Sequence, residues 1–195
     1  MDRFARAIEL IDAANAADPN TLAFQGEPRP KEQLHAELLT AWVRKLLPLP
    51  AEELLLAARA HHIRRWERPR ATYPAGRGGY LRWRRDAHRW HAEITAPLLR
   101  EAGYDDDAFV ARVSALIAKT APPGDADAQA LEDGLCLVFL ETQLDELAGR
   151  IDHDKMVGIL RKSWRKMSPA GREAALGLAF RPSEFSLVRE ALGDG

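Results

Sequence analysis

The chain carries one cysteine in 195 residues, so no disulfide can form within it. Charge of one sign is not in excess. Lys and Arg number 28 against 29 Asp and Glu, a formal net charge of -1, which excludes a chain-wide basic field for nucleic acid or anionic lipid. No apolar run approaches the ~18 residues that a bilayer span requires, so no membrane association is expected. The N-terminal MDRFARAIEL mixes charge with apolar residues and lacks the hydrophobic core of a secretion signal. Together with the lone Cys136, these absences point to a reducing, cytoplasmic setting. Cys136 lies among Leu135, Leu137 and Val138 and reads as a packing residue. There is also no phosphate-binding P-loop, no serine or cysteine in a triad context, no internal repeat and no low-complexity tract.

What the chain does have is helical periodicity. Hydrophobic residues make up 46% and charged residues 29%, enough apolar surface for a core in one domain over residues 1–195. No stretch alternates with the period of two that marks a half-buried strand. The expected fold is all-α, a compact bundle of about eight helices. Phe4, Ile8 and Ile11 share a face of a first helix, and a Pro/Asn/Gly loop (ADPNTLAFQGEPRP) follows. His35, Leu38, Leu39, Trp42 and Leu46 form the inward stripe of a second helix that stops at Pro48. AEELLLAARAHHIRRW reads as a third helix. A long segment from about Gly79 to Ala102 contains Pro97, which predicts a kink or break. Residues 126–147 are apolar nearly all round between Leu131 and Leu140 and read as the central buried helix. Ser168-Pro169 is a cap followed by a first-turn proline.

Four histidines lie toward the core side of three helices: His35, His61, His62 and His91. A buried imidazole needs a hydrogen-bond partner or a metal. Asp133 shares a stripe with Leu137, Leu140 and Leu144 on the most apolar helix. A carboxylate there must be paired, protonated or ligated. His88 and His153 read as exposed and without a role.

Residues 59–90 form a second signal. Ten arginines are opposed only by Glu67 and Asp86, a local charge of roughly +8, with Trp66, Tyr73, Tyr80, Trp83 and Trp90 interleaved. Arginine suits bidentate phosphate or carboxylate recognition. Within this segment the AGRGGY turn enters a helix, whose N-terminus can hold an anion. Salt bridges to acidic helices and tryptophans in the core would account for the same residues. RKSWRK, residues 161–166, forms a second basic patch that an exposed helix face explains equally well.

The order and spacing of these residues resemble the HD-domain superfamily of metal-dependent phosphohydrolases. In that superfamily a first His sits on one helix, an adjacent His-Asp pair ends another, and a final Asp lies on a later buried helix. His35 matches the first position, AARAHHIRRW the segment with the pair, HAEITAPLLREAGYDDDAFVARVSALI the intervening stretch, and AQALEDGLCLVFLE the helix with the final Asp. The resemblance covers residues 30–145 or so, with the helices of 153–192 expected to pack on that core. HHIRRWE, YPAGRGGYLRWR, ALEDGLCLVFLE and RKSWRKMS are in addition similar to segments of a bacterial family of unknown function, number 4202.

Two departures shape what the resemblance implies. His62 stands where the pair has its Asp, and Lys119 stands near where dinuclear members carry a further His. Both argue against a two-metal site. The implied centre is mononuclear, held by His35, His61, His62 and Asp133, and takes one divalent transition metal: zinc, iron, manganese or nickel. The implied activity is hydrolysis of a phosphorylated or nucleotide-like small molecule. Arg64, Arg65, Arg77 and Lys119 would hold the phosphate, and His91 or Glu93 would move the proton. Two alternatives stand beside it: a non-catalytic module that binds RNA or an anionic ligand through residues 59–90, and an oxygenase using a single iron.

Overall fold

The computed structural model describes residues 2–24 and 26–193; the expected span 1–195 also includes Met1, Gln25, Asp194 and Gly195, which lie outside the described residues. Its order is α1 (Arg3–Ala16), β1 (Thr21–Phe24), β2 (Glu27–Pro30), α2 (Lys31–Leu46), α3 (Glu52–Ala60), α4 (Gly76–Glu101), α5 (Asp107–Ala118), α6 (Ala126–Thr142), α7 (Leu144–Ala148), α8 (His153–Lys166), α9 (Pro169–Leu176) and α10 (Pro182–Leu192). The fold is mostly helical, as the periodicity predicts. Ten α-helices are present among the described residues rather than about eight. None of them is long and apolar enough to cross a membrane.

Besides the third helix, which ends at Ala60 rather than at Trp66, three elements differ from the sequence expectation. The loop before α2 contains a short antiparallel ribbon, with Thr21 opposite Pro30 and Phe24 opposite Glu27. Its strands are four residues each and turn at Gly26, too short for a period-two signal to register. The expected helix over 126–147 divides at Gln143 into α6 and α7. Pro97 does not interrupt α4. It lies on the exposed side, and the carbonyl it leaves without an N–H donor is that of exposed Glu93, where water can satisfy it.

α6 is the centre, and it is buried on both sides. One cluster joins α1, α2, α3 and α5 to it through Ile11, Leu39, Val43, Leu54, Val113 and Leu131. A second joins α8, α9 and α10 to its other side through Leu137, Leu140, Met156, Leu160 and Val188. That two-sided burial is why its sequence is apolar nearly all round.

Asp18 sets the start of α2. One carboxylate oxygen accepts the backbone and side-chain N–H of Asn20, and the other accepts the backbone N–H of Glu32 at 2.9 Å. Pro30 offers no side-chain cap, so a residue across the ribbon satisfies a first-turn donor of α2 instead. At the start of α4, the chain folds back on itself so closely that a Cβ on Gly79 would lie 1.9 Å from the carbonyl oxygen of Pro74, whereas one on Gly78 would meet nothing within 4 Å. Gly79→Ala should therefore destabilise the protein by about 3 kcal/mol or more, while Gly78→Ala should be neutral or stabilise by about 0.5–1 kcal/mol. Chemical denaturation of the two variants checks the pair, and equal effects would remove the close approach as the cause.

Candidate functional site

The site begins where α3 ends. Arg64 adopts a left-handed backbone at φ 50, and its N–H donates to the side-chain oxygen of buried Asn15 on α1 at 3.0 Å. The histidine pair thus occupies a tight turn rather than a helix end, and its rings, with centroids 5.1 Å apart, contact different helices. His62 stacks on His35 of α2, ring centroids 4.1 Å apart. His61 lies 5.2 Å from His88 of α4.

On the α2 side, His62 is held by both ring nitrogens. Arg65 can only donate, so His62 Nε2, its partner, is an acceptor. The proton is then on Nδ1, 3.2 Å from Glu32 Oε2, and ligation of a metal by His62 would require Arg65 to leave Nε2. Glu32, His35 and His62 offer ligand atoms that all lie within 4.8 Å of one another. His35 Nδ1 is buried without a partner, an orphan that a metal ion would satisfy. Two imidazoles and one carboxylate suit a borderline transition metal.

On the other side lies a cavity of about 1030 Å³. His61, His62, His88 and His91 line one part of it, and seven cations line the rest: Arg65, Arg77, Arg84, Lys119, Lys155, Lys162 and Lys166. Glu132 is the acid among its lining residues, and it accepts from Lys119 Nζ at 2.5 Å and Lys166 Nζ at 3.0 Å. Burial alone would raise the Glu132 pKa, but the two ammonium groups outweigh it and hold the carboxyl at about 2. His91 has a fixed tautomer. Its Nδ1–H donates to the Ile63 carbonyl at 2.8 Å, which leaves the Nε2 lone pair buried and unpartnered in a residue that lines the cavity.

The structure brings together some of the expected residues and separates others. His35 and His62 meet, ring centroids 4.1 Å apart. His61 stays on the cavity side, outside the group around Glu32. Asp133 is elsewhere. Its carboxylate accepts from Ser168 N at 2.8 Å, Ser168 Oγ at 2.6 Å and Gln129 Nε2 at 3.0 Å, and it packs so tightly on α9 that a Cβ on Gly171 would fall 2.6 Å from its Cγ. It secures the start of α9. Arg65, Arg77 and Lys119 line the cavity, but Arg64 does not; it pairs with Glu67 at 2.6 Å on the surface. Glu93 is exposed on α4 and away from the cavity, so His91 alone of the two proton-carrying candidates faces it.

Two residues escaped the sequence reading. His88 is half-buried and part of the cavity wall, not exposed. Its position one turn before His91 puts both on one face of α4. Glu32 lies three residues before His35, a Glu-x-x-His spacing that sets carboxylate and imidazole side by side on a helix. The arginines of the basic segment divide between ion pairs or backbone bonds and the cavity lining. Arg59 pairs with Asp12 at 2.5 Å, and Arg70 donates to the carbonyls of Tyr73 and Pro74, while Arg65, Arg77 and Arg84 face the cavity. Cys136 is a packing residue, as expected, and burial pushes its thiol up to about 11.

A family model described as Domain of unknown function (DUF4202) matches residues 5–188. No curated protein and no solved structure matches the chain.

Burial, reinforced by nearby cations, holds the imidazoles neutral: His35 and His88 fall to about 3 and His91 to about 4, with His61 and His62 also well below the ordinary 6.5. Below pH 6.5 the unfolded chain therefore binds more protons than the folded one, and stability falls as pH falls. Burial raises Glu32 to about 7, which acts the other way between pH 7 and 4.5, but one carboxyl opposes several imidazoles. The melting temperature of chelator-treated protein should drop steadily from pH 6.5 to 4.5; a flat profile would show that the rings are solvated. Asp133→Ala should cost about 2–3 kcal/mol in a denaturation experiment and leave bound metal unchanged, since its bonds are to Ser168 and Gln129. Loss of metal in that variant would return Asp133 to the ligand set.

Proposed function

The chain belongs to the DUF4202 family, and we propose that it hydrolyses a phosphorylated small molecule bound in the cationic cavity, beside a mononuclear metal centre on Glu32, His35 and His62. The observation that carries this is the position of His62. The same ring belongs to the candidate ligand group and to the cavity wall. A divalent transition metal held there would acidify water and polarise a phosphoryl oxygen.

The chain's own residues supply the rest. Arg65 is fixed between His62 and the face of Trp83, 4.9 Å from the ring centroid, and presents its guanidinium to a phosphate at the histidine end. Arg84 and Lys119 add charge on the same side; they lower the pKa of His88, as burial does, so their fields reach the histidine end. His91 Nε2, with its lone pair free, accepts a proton within the cavity. A resting value of about 4 makes it a weak base, and a bound dianion beside it would raise that value toward the working range.

The donor set favours one further reading. Two histidines and one carboxylate are also the ligands of mononuclear iron oxygenases. Oxygen consumption after anaerobic ferrous loading would support it.

The test for hydrolysis uses untagged protein, metal analysis and a generic aryl phosphate ester. One metal per chain is expected, lost in His35→Ala, together with metal-dependent release of phosphate that falls about 10²-fold or more in His91→Gln. Metal that is substoichiometric and unchanged by His35→Ala would overturn the proposal.

A further inference from the structure

The cavity is elongated, and its charge is distributed along its length. On α4 its lining runs from Gly76 to His91, fifteen residues along one helical face, or about 22 Å at 1.5 Å per residue. On α8 the lining positions are Lys155, Ile159, Lys162, Ser163 and Lys166, again a single face, about 16 Å long. Among the described residues Arg77, Arg84, Lys155 and Lys162 have no carboxylate partner, so the groove carries charge that the fold itself does not neutralise. A single phosphate at the histidine end could engage only a fraction of it.

We propose that this groove holds a linear chain of phosphoryl groups, three or more in line, with one end at the histidines and the chain running between Arg77 and Arg84 of α4 and Lys155 and Lys162 of α8. It rests on the cavity being the phosphate site proposed above, and it assigns α8 a binding role. Such a chain has the charge density that seven cations against one carboxylate call for. A single strand of nucleic acid would spread its charge further and needs successive stacking rings. Tyr80 is the one cavity ring that is exposed; Trp83 is buried, its indole N–H donating to the Arg68 carbonyl at 2.7 Å, and Phe139 is half-buried in the second core cluster. The exposed Tyr80 ring can stack one base, which leaves two sources for the chain: inorganic polyphosphate, or the tail of a nucleoside polyphosphate.

Isothermal titration of the full chain, metal-chelated and at fixed ionic strength, separates these. Orthophosphate, inorganic tripolyphosphate, adenosine triphosphate and a short oligothymidylate are the probes. Tripolyphosphate should bind about tenfold or more tightly than orthophosphate. The double variant Lys155→Ala/Lys162→Ala, both exposed and outside the core, should lose about tenfold or more of that affinity and keep orthophosphate binding within about twofold. A triphosphate that binds more tightly than tripolyphosphate, with the gain lost in Tyr80→Ala, identifies a nucleotide as the source; equal binding identifies the inorganic chain. Equal affinity for orthophosphate and tripolyphosphate, no effect of the double variant, or oligothymidylate bound as tightly as tripolyphosphate would each overturn the proposal while the histidine-end phosphate site stands. If orthophosphate and tripolyphosphate both fail to bind, the phosphate site itself falls.

Discussion

The hydrogen bond from the Arg64 backbone to Asn15 organises the site. A non-glycine residue at φ 50 costs of order 1 kcal/mol, and such a conformation persists where the surroundings over-determine it. Here the surroundings are the buried amide of Asn15 and the fully buried Ile63 beside it. If α3 continued as a helix through residue 64, His61 and His62 would lie about 100° apart on one cylinder. The turn instead sets the His62 ring 4.1 Å from His35 of α2 and 6.1 Å from His91 of α4, and the His61 ring 5.2 Å from His88 of α4. The candidate metal group and the cavity are two consequences of that bend. The Ile63 carbonyl, freed from a helical bond, is what fixes the tautomer of His91.

A second constraint is electrostatic. Five imidazoles are clustered beside cations, and each would repel its neighbours if protonated. Burial and Arg65, Lys119 and Arg84 all push in the same direction, toward neutral rings. Neutral imidazole is the form that ligates a metal and the form that accepts a proton. The cations also require compensation. Glu132 supplies it for Lys119 and Lys166 and thereby ties the end of α5 to α6 and α8. Among the described residues nothing comparable serves Arg77, Arg84, Lys155 and Lys162, so the fold leaves positive charge in excess there.

Helix content, the central place of α6 and the core-side position of His35, His62 and His91 were all legible in the sequence, because each follows from burial periodicity along a single element. What was not legible depends on how elements meet. The bend after Ala60 is set by Asn15, 49 positions away, and no local propensity announces it. The lysines of α8 look like an exposed helix face until α4 is placed across from them. His88 reads as solvated among arginines because the wall that covers it comes from other segments.

The two carboxylates show most clearly where pattern and structure part. Asp133 has the position, on a buried helix after the histidines, that the resemblance associates with a ligand. Burial required it to have partners, and it has three, but all are hydrogen-bond donors at the entrance to α9. Glu32 has no such place in the pattern, yet the bond from its backbone N–H to Asp18 holds it in the first turn of α2, directly below His35. The candidate ligand group therefore comes from one turn of α2 and the bend after α3. With Asp133 facing α9, the cavity-facing positions of α6 are Glu132, Leu135, Cys136 and Phe139, a floor with one carboxylate that is already paired. A free carboxylate on that floor would repel a phosphate chain, so the turn of Asp133 toward α9 is itself a condition for the anion-binding groove proposed above.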